Sequence, residues 1–267
     1  MLQFLTYLFI AIYTATVIGI ILVVILGNRN PLKTIPWVVV LIFAPVVGLV
    51  FYFFFGQDLR RKRIISRRTY KRLMVYALPA HVRRSDAPVP AACQSLSTLL
   101  TNTSQAVSFY GSRLTHYGDG ASKMTALLEE IEKARDHIHI LYYIFCDDET
   151  GARLQQALIR KAKEGVKVRV LYDDVGCNGV KKEFFQQMRD AGAEVHALLH
   201  VRFPMLTDRV NYRNHRKIVV IDGRVGFFGG MNIADRYVKG PGWGVWRDSH
   251  FKVEGKGAVS YTHLRAH

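Results

Sequence analysis

The stretch HIHILYYIFCDDETGARLQQALIRKAKEGVKVRVLYDD, residues 137 to 174, predicts a strand, a helix and a second strand in that order. Residues 137 to 145 are an apolar run typical of a buried strand, and residues 152 to 165 carry apolar side chains at helical spacing. Residues 166 to 174 return to a strand pattern. This order favours parallel strands joined by a right-handed crossover, with functional residues near the carboxyl ends of the strands.

The neighbouring segments continue the pattern. A helix is predicted over residues 122 to 135, another over 181 to 192 and a strand over 193 to 199, so the order is αβαβαβ. We therefore expect an α/β sandwich domain with a mixed, largely parallel sheet flanked by helices. Four carboxylates follow strand ends, and we interpret them first as solvated turn residues and second as ligand contacts: Asp147, Asp148, Asp173 and Asp174.

The segment NYRNHRKIVVIDGRVGFFGGMN, residues 211 to 232, predicts a β-hairpin that carries reactive side chains. Alternation along HRKIVVI places His215 and Lys217 on one side of the strand. Asp222 and the glycine after it are typical of a two-residue hairpin turn. By the same alternation Asp222 points away from His215, so another carboxylate is needed to orient the imidazole.

An imidazole beside an ammonium group suits attack on a phosphodiester. His215 would supply the nucleophile, while Lys217 and Asn232 would hold the charged oxygens and Gly230 would let the phosphate approach the backbone. Each residue alone has an ordinary structural interpretation, but together they predict a phosphate ester as substrate.

The first 55 residues contain no acidic residue and include two apolar runs. Residues 1 to 57 are predicted to form a transmembrane helical hairpin, with spans at about 4–26 and 36–55. A cleaved secretory signal is disfavoured, because the first run lacks a basic start and a second run follows it.

A basic cluster follows the hairpin, with no acidic residue from position 59 to 85. Its charges place the N-terminus and the C-terminal part on the cytoplasmic side and attract anionic lipid headgroups. Residues 58 to 105 are predicted to be a basic juxtamembrane segment and linker. The cluster consists of Arg60, Arg61, Lys62, Arg63, Arg67, Arg68, Lys71, Arg72, Arg83 and Arg84.

The whole chain has 37 Lys and Arg against 21 Asp and Glu, a formal charge of +16. Such a charge indicates an anionic partner, either a phospholipid surface or a nucleic acid. The position of the basic cluster beside the predicted bilayer makes nucleic acid the less expected of the two. Cys93, Cys146 and Cys177 lack metal-ligand spacing and are interpreted as reduced thiols, so no metal site is expected.

The pattern H-x-K-x4-D-x6-G-G-x-N in residues 215 to 232 resembles the signature of the phospholipase D superfamily. NPLKTIPWVVVLIFAPVVGLVFYFFFGQD resembles the membrane anchor of bacterial cardiolipin synthases, and GVKVRVLYDDVG and WRDSHFKVEG resemble their first catalytic half. The resemblance implies a multi-pass enzyme of the bacterial inner membrane with a cytoplasmic phospholipase D-like domain over residues 106 to 259. It implies cardiolipin and glycerol as products of two phosphatidylglycerol molecules, formed through phosphohistidine without a metal or cofactor.

The resemblance assigns His215 as nucleophile, Lys217 and Asn232 as phosphate ligands and Asp222 as an orienting or structural carboxylate. It also makes Asp248 the candidate for orienting His215, with a surface ion pair as the equally acceptable alternative for that carboxylate. This chain has one such motif where the family usually has two. We expect either a truncated gene, with residues 260 to 267 as a non-native tail, or a homodimer in which each subunit gives one His215. Two other functions stay open: a phosphodiesterase or nuclease that uses water, and an inactive protein that binds anionic lipids.

Overall fold

The computed structural model describes residues 2–27, 31–44, 47–48, 51–52, 89–104, 108–109, 111–200, 213–240, 242, 244–255 and 257–258. The chain divides into two compact units, residues 1–64 with 201–212, and residues 65–200 with 213–267. The predicted basic cluster and the predicted tail at 260–267 lie outside the described residues.

The first unit contains two helices that pack against each other, α1 (Leu2–Gly27) and α2 (Pro31–Phe43). No helix of the described residues is both long and apolar enough to cross a membrane. The predicted transmembrane hairpin therefore stays a prediction.

The second unit is built on a seven-stranded sheet with the strand order β1-β7-β6-β5-β2-β3-β4. Among the strands that the structure describes, β2–β3 and β3–β4 pair in parallel and the other four pairings are antiparallel. The strands are β1 (Arg113–Tyr117), β2 (His137–Tyr142), β3 (Lys167–Asp173), β4 (Glu194–Leu198), β5 (Ile218–Ile221), β6 (Val225–Gly229) and β7 (His250–Glu254).

A mixed sheet with flanking helices is confirmed, but the expectation that it is largely parallel is wrong. Helical crossovers link β2 to β3 and β3 to β4, and such connections give parallel neighbours. The tight turn between β5 and β6 permits only antiparallel pairing. Strands β7 and β1 then extend that antiparallel half of the sheet.

Three helices cover one face of the sheet: α4 (Gly120–Lys133), α5 (Glu149–Lys163) and α6 (Lys182–Asp190). Asp119 and Asp148 cap the first two by accepting hydrogen bonds from Ser122 N and Gly151 N. Apolar side chains of the helices form one core with alternate residues of the central strands; among them are Leu127, Ile131, Leu154, Leu158, Met188, Ile138, Ile140, Val168, Val170 and Val195.

The segment predicted as a linker is partly helical. Residues 91–93 form a short 3-10 turn, and α3 (Gln94–Ser104) follows it with nearly every side chain exposed. Residues 94–104 are thus helical and largely exposed, and the linker over 58–105 stays a prediction. A further short helix, α7 (Asp235–Val238), follows β6. The cysteines Cys93, Cys146 and Cys177 are free thiols.

Candidate active site

The sheet register separates the predicted site residues into two groups. Ile218 pairs with Leu141 near the carboxyl end of β2, and Ile221 pairs with Ile138 near its start. His215 and Lys217 precede β5, so they lie at the edge formed by the carboxyl ends of the parallel strands. Asp222 follows β5 and lies at the opposite edge.

His215 and Lys217 are in direct contact. The Lys217 Nζ lies 3.0 Å from His215 Nδ1, 3.2 Å from Nε2 and 2.7 Å from the carbonyl oxygen of the same residue. The ring of Tyr143 forms a wall beside them, with its centroid 4.5 Å from that of His215 and 5.5 Å from Lys217 Nζ. The pair is set by the loop before β5, not by alternation along the strand.

Burial and nearby charges give His215 and Lys217 different protonation states near pH 7. His215 is exposed and Lys217 is buried, with 2% of its surface accessible. Partial desolvation and then the Lys217 charge lower the pKa of His215 below 6.5, opposed by Asp173 and Asp248. Burial lowers the pKa of Lys217 to about 8. Near pH 7 the imidazole is therefore neutral and the amine still carries its charge.

Asp222 braces the other edge of the sheet. Its carboxylate accepts hydrogen bonds from the backbone N–H groups of Arg135, Asp136 and His137, each at 2.9 Å. Asp222 and Gly223 have φ angles of 50° and 61°, which the tight turn requires. The carboxylate thus fixes the start of β2 against the hairpin and does not contact His215.

Asn232 is held by the backbone that follows β2. Its Oδ1 accepts a hydrogen bond from Ile144 N at 3.1 Å, and its Nδ2 donates to the Tyr237 hydroxyl at 2.9 Å. Because the Ile144 N–H can only donate, the amide orientation follows from the contact. Within the described residues one N–H of Nδ2 is left over for a further acceptor, so the predicted phosphate contact would use that hydrogen alone.

Gly230 makes room for Asp248. A Cβ at position 230 would lie 2.1 and 2.2 Å from the two carboxylate oxygens of Asp248. The carboxylate also accepts a hydrogen bond from Ser249 N at 2.7 Å. The charge of Asp248 acts to raise the pKa of both His215 and Lys217. Among the described residues, however, no hydrogen bond joins Asp248 to His215. The glycine therefore admits a carboxylate near the site, in addition to its predicted role towards phosphate.

Two family models match the chain. The cardiolipin synthase, PLD-like domain matches residues 127–241, and the phospholipase D-nuclease N-terminal model matches residues 14–57. The first match contains His215, Lys217 and strands β2 to β6 of the sheet that supports them. The chain belongs to the phospholipase D superfamily.

Relatives within the superfamily match almost the whole chain. Cardiolipin synthase 1 of Bacillus anthracis is 38% identical over 94% of this chain and 50% of its own length. The major cardiolipin synthase of Bacillus subtilis is 37% identical over 88% of this chain and 51% of its own length. The chain spans about half the length of the curated relatives it matches. Among solved structures, NucT from Helicobacter pylori is 18% identical, with a TM-score of 0.43, and the match covers 57% of this chain and 91% of that one.

A buried polar cluster behind this superfamily site was missed from sequence. Lys123 of α4 is fully buried and donates a hydrogen bond to the Tyr142 hydroxyl at 2.9 Å. Its spacing of four from Leu127 puts it on the apolar stripe of the helix, which was the available signal. Burial lowers the pKa of Lys123 to about 7.

His250 on β7 is the histidine to consider as a general acid near Lys217. It is fully buried, and burial followed by the charges of Lys123 and Lys217 lowers its pKa to about 2. The imidazole is therefore neutral at physiological pH and holds no second proton to give to a leaving group. A structural role at the back of the site fits it better.

Asp173 was interpreted first as a solvated turn carboxylate, which is wrong. It is 1% exposed and forms an ion pair with Arg213, whose Nη2 lies 2.6 Å from Asp173 Oδ1. Asp148, also interpreted that way, caps α5 and accepts a hydrogen bond from Asp235 N at 2.6 Å. Among the described residues, no group of three or more His, Cys, Asp or Glu side chains is arranged to hold a metal ion.

Proposed function

We propose that the protein is part of a membrane-bound phosphatidyltransferase that makes cardiolipin and glycerol from two phosphatidylglycerol molecules. The observation that carries this proposal is the exposed His215 imidazole in contact with the buried ammonium of Lys217. A neutral nucleophile beside a fixed cation fits attack on an anionic phosphodiester. The cardiolipin synthase names of the relatives support this substrate class.

In the first step a His215 ring nitrogen attacks the phosphorus of one phosphatidylglycerol. The new N–P bond forms as the bond from phosphorus to the glycerol oxygen breaks, and glycerol leaves after gaining a proton. In the second step a hydroxyl group of another phosphatidylglycerol attacks phosphohistidine, loses its proton and regenerates His215. Lys217 would stabilise the negative charge on the non-bridging oxygens in both steps, assisted by the remaining N–H of Asn232.

The leaving glycerol needs a general acid, and neutral His250 does not fit that task. We assign the acid to a second histidine, from either a second motif in a longer protein or the His215 of a second copy. A two-fold axis beside the exposed His215 would bring the two imidazoles together in the second case.

We place the site at the cytoplasmic face of the bacterial inner membrane. The support is the absence of acidic residues in the first 55 positions, the ten basic residues that follow, and the N-terminal family match over residues 14–57. The two membrane spans at about 4–26 and 36–55 belong to this proposal. Phosphatidylglycerol and other anionic lipids are then the expected partners of the basic cluster.

The test is a product analysis with the full chain in mixed micelles of detergent and phosphatidylglycerol. Equal amounts of cardiolipin and glycerol are expected, together with a dependence on protein concentration if a second copy supplies the acid. No cardiolipin from preparations that bind phosphatidylglycerol would rule out the transfer reaction and leave a lipid-binding role.

Hydrolysis is the second candidate, and one observation favours it. His215 is exposed in the described part of the chain, so water can reach a phosphate bound to it. Water in place of the second lipid would release phosphatidic acid instead of cardiolipin. Phosphatidic acid as the main product, at saturating phosphatidylglycerol, would assign a phospholipase activity.

A further inference from the structure

Asp173 and Arg213 form an ion pair directly beside the loop that carries His215. Asp173 ends β3 and is 1% exposed, and the side chain of Arg213 is 8% exposed. Arg213 is two residues before His215 in the sequence. A buried pair with this much hydrogen bonding is favourable only when its geometry is good, and removal of either partner leaves the other charge uncompensated.

The first arm of the pair fixes the backbone before His215. Arg213 Nε lies 2.9 and 3.1 Å from the two oxygens of Asp173, and Nη2 lies 2.6 Å from Oδ1. The guanidinium also donates to the carbonyl oxygens of Leu199 at 2.9 Å and Leu198 at 3.4 Å. Arg213 is therefore tied to the ends of both β3 and β4 by its rigid fork.

The same carboxylate contacts the next residue along the loop. Asn214 N donates to Asp173 Oδ2 at 3.4 Å, and the Asn214 side chain accepts a hydrogen bond from Arg216 N at 3.2 Å. The residues on both sides of His215 are thus held through Asp173. The His215 imidazole stays exposed between these two held residues.

Asp173 also supports the turn beside Tyr143, whose ring forms the wall of the site. Asp173 Oδ1 accepts hydrogen bonds from Val175 N at 3.0 Å and Gly176 N at 2.9 Å. The turn lies so close to Tyr143 that a Cβ on Gly176 would be 2.1 Å from the Tyr143 carbonyl oxygen. Because the Tyr143 ring contacts His215, Asp173 positions that wall as well.

We infer that Asp173 and Arg213 act as a buried clamp that positions His215 for attack. One carboxylate fixes the loop that bears the imidazole and the turn that supports Tyr143 beside it. Both are positioning residues, since neither side chain contacts the reacting atoms. The clamp rests on the proposed function for the reaction that it serves, whereas its effect on the imidazole is measurable without turnover.

Asp173→Asn and Arg213→Met are expected to lower kcat about 100-fold with little change in KM, because a displacement of about 1 Å is enough for such a loss. The matched control is Glu194→Gln, which removes the carboxylate of the exposed Arg169–Glu194 pair on the same sheet. The control should keep wild-type kcat. Wild-type kcat in both clamp variants would overturn the clamp.

The deciding readout is the pKa of His215, measured by histidine-selective NMR on the full chain in detergent and assigned with His215→Gln. The charged groups that act on this imidazole are Lys217, Asp173 and Asp248. Asp173→Asn removes a negative charge and should lower the pKa, whereas Arg213→Met leaves Asp173 unpaired and should raise it. General loosening of the fold would instead move both values upward, towards the ordinary one.

Circular dichroism tests whether each variant folds. If Asp173→Asn does not fold, Arg213→Lys is the variant that tests the clamp. Lysine keeps the charge but lacks the fork, so kcat should fall at least about tenfold while the pKa of His215 stays unchanged. An unchanged kcat in this variant would overturn the clamp.

Failure of the clamp and failure of the proposed function give different results. Opposite pKa displacements without any cardiolipin from the wild type would support the clamp and remove the proposed function. Cardiolipin formation with wild-type pKa and kcat in all clamp variants would do the reverse.

Discussion

His215 and Asp222 are seven positions apart in the sequence, yet they lie at opposite edges of the sheet. At the Asp222 edge the negative charge is compensated, because three backbone N–H groups donate hydrogen bonds to the carboxylate. At the His215 edge the buried Lys217 has no carboxylate partner among the described residues, and its contacts are an imidazole, a carbonyl oxygen and an aromatic ring.

Within one short motif, Asp222 therefore serves the stability of the fold, whereas His215 and Lys217 are available for chemistry. A carboxylate with filled hydrogen-bonding capacity contributes to folding and has little left to offer a substrate. A buried ammonium without an anion is costly to fold but ready to stabilise one. Substitutions at the two edges should therefore change different measurements.

The largest effect is expected for His215→Gln. Loss of the proposed nucleophile should lower kcat about 10⁴-fold or more, because the proposed phosphohistidine cannot form. The free energy of unfolding should change by no more than about 0.5 kcal/mol, since the side chain is exposed. The matched control is His196→Gln, an exposed histidine on β4, which should keep full activity.

Lys217→Met should lower kcat about 10²- to 10³-fold, as expected for the loss of one group that stabilises transition-state charge. In the wild type, activity should rise as His215 loses its proton below pH 6.5 and fall as Lys217 loses its proton near pH 8. Lys217→Arg should keep part of the activity and remove the alkaline fall, because arginine stays charged. A pH profile of kcat/KM tests this, and an alkaline fall that persists in Lys217→Arg would assign it to another group.

Asp222→Asn should change stability rather than chemistry. Burial raises the pKa of Asp222, but the three backbone hydrogen bonds outweigh it, so the net shift is downward. The stability that this gives is present above the unfolded value of 3.8 and is lost as pH falls through the folded pKa. We expect a loss of about 2–3 kcal/mol at pH 7 in denaturant unfolding, with kcat of the folded protein retained.

The control for Asp222 is Glu129→Gln, which removes an exposed carboxylate from α4. It should leave the free energy of unfolding within about 0.5 kcal/mol of the wild type. If Asp222→Asn abolished turnover in a fully folded protein, the separation between the two edges would be wrong.

The smallest effect concerns the buried Lys123 and Tyr142 behind the site. The pKa of Lys123 falls from 10.5 to about 7 on folding, so the unfolded chain binds the proton more tightly. The loss of stability caused by burying protonated Lys123 is fully present below pH 7 and is relieved as pH rises towards 10.5. Replacing both partners, as Lys123→Met with Tyr142→Phe, should raise stability by about 1–2 kcal/mol at pH 7 and flatten this pH dependence.

The matched comparison is Lys123→Met alone, which leaves the Tyr142 hydroxyl buried without its partner and should stabilise less. Denaturant unfolding at pH 7 and at pH 9 measures both effects. Equal pH dependence in the wild type and the double variant would show that Lys123 is not the titrating group.

Local patterns predicted the central part of the fold well. Apolar runs and helical spacing gave β2, β3, β4 and the helices between them to within a few residues, because each element buries its own apolar face. The antiparallel half was harder to predict: β1 and β7 pair with each other across more than a hundred residues, and no local pattern specifies such a partner.

The site residues that share a recognisable spacing were predicted from the sequence. The polar residues whose role depends on burial were missed. The proximity of His215 and Lys217 was predicted from their spacing of two, although the loop before β5 and not a strand brings them into contact. Asp173 and Lys123 have partners on distant elements, and His250 is buried without a hydrogen-bond partner among the described residues. Apart from the position of Lys123 on the apolar stripe of α4, the sequence does not distinguish them from solvated side chains. Their burial follows only from the assembled sheet.

The most direct test is to trap the covalent intermediate on the intact chain. The wild type, incubated with phosphatidylglycerol carrying radiolabelled phosphate and quenched in alkali, should carry an acid-labile label on residue 215, and His215→Gln should carry none. Cardiolipin formation by a preparation with no label at residue 215 would contradict the account.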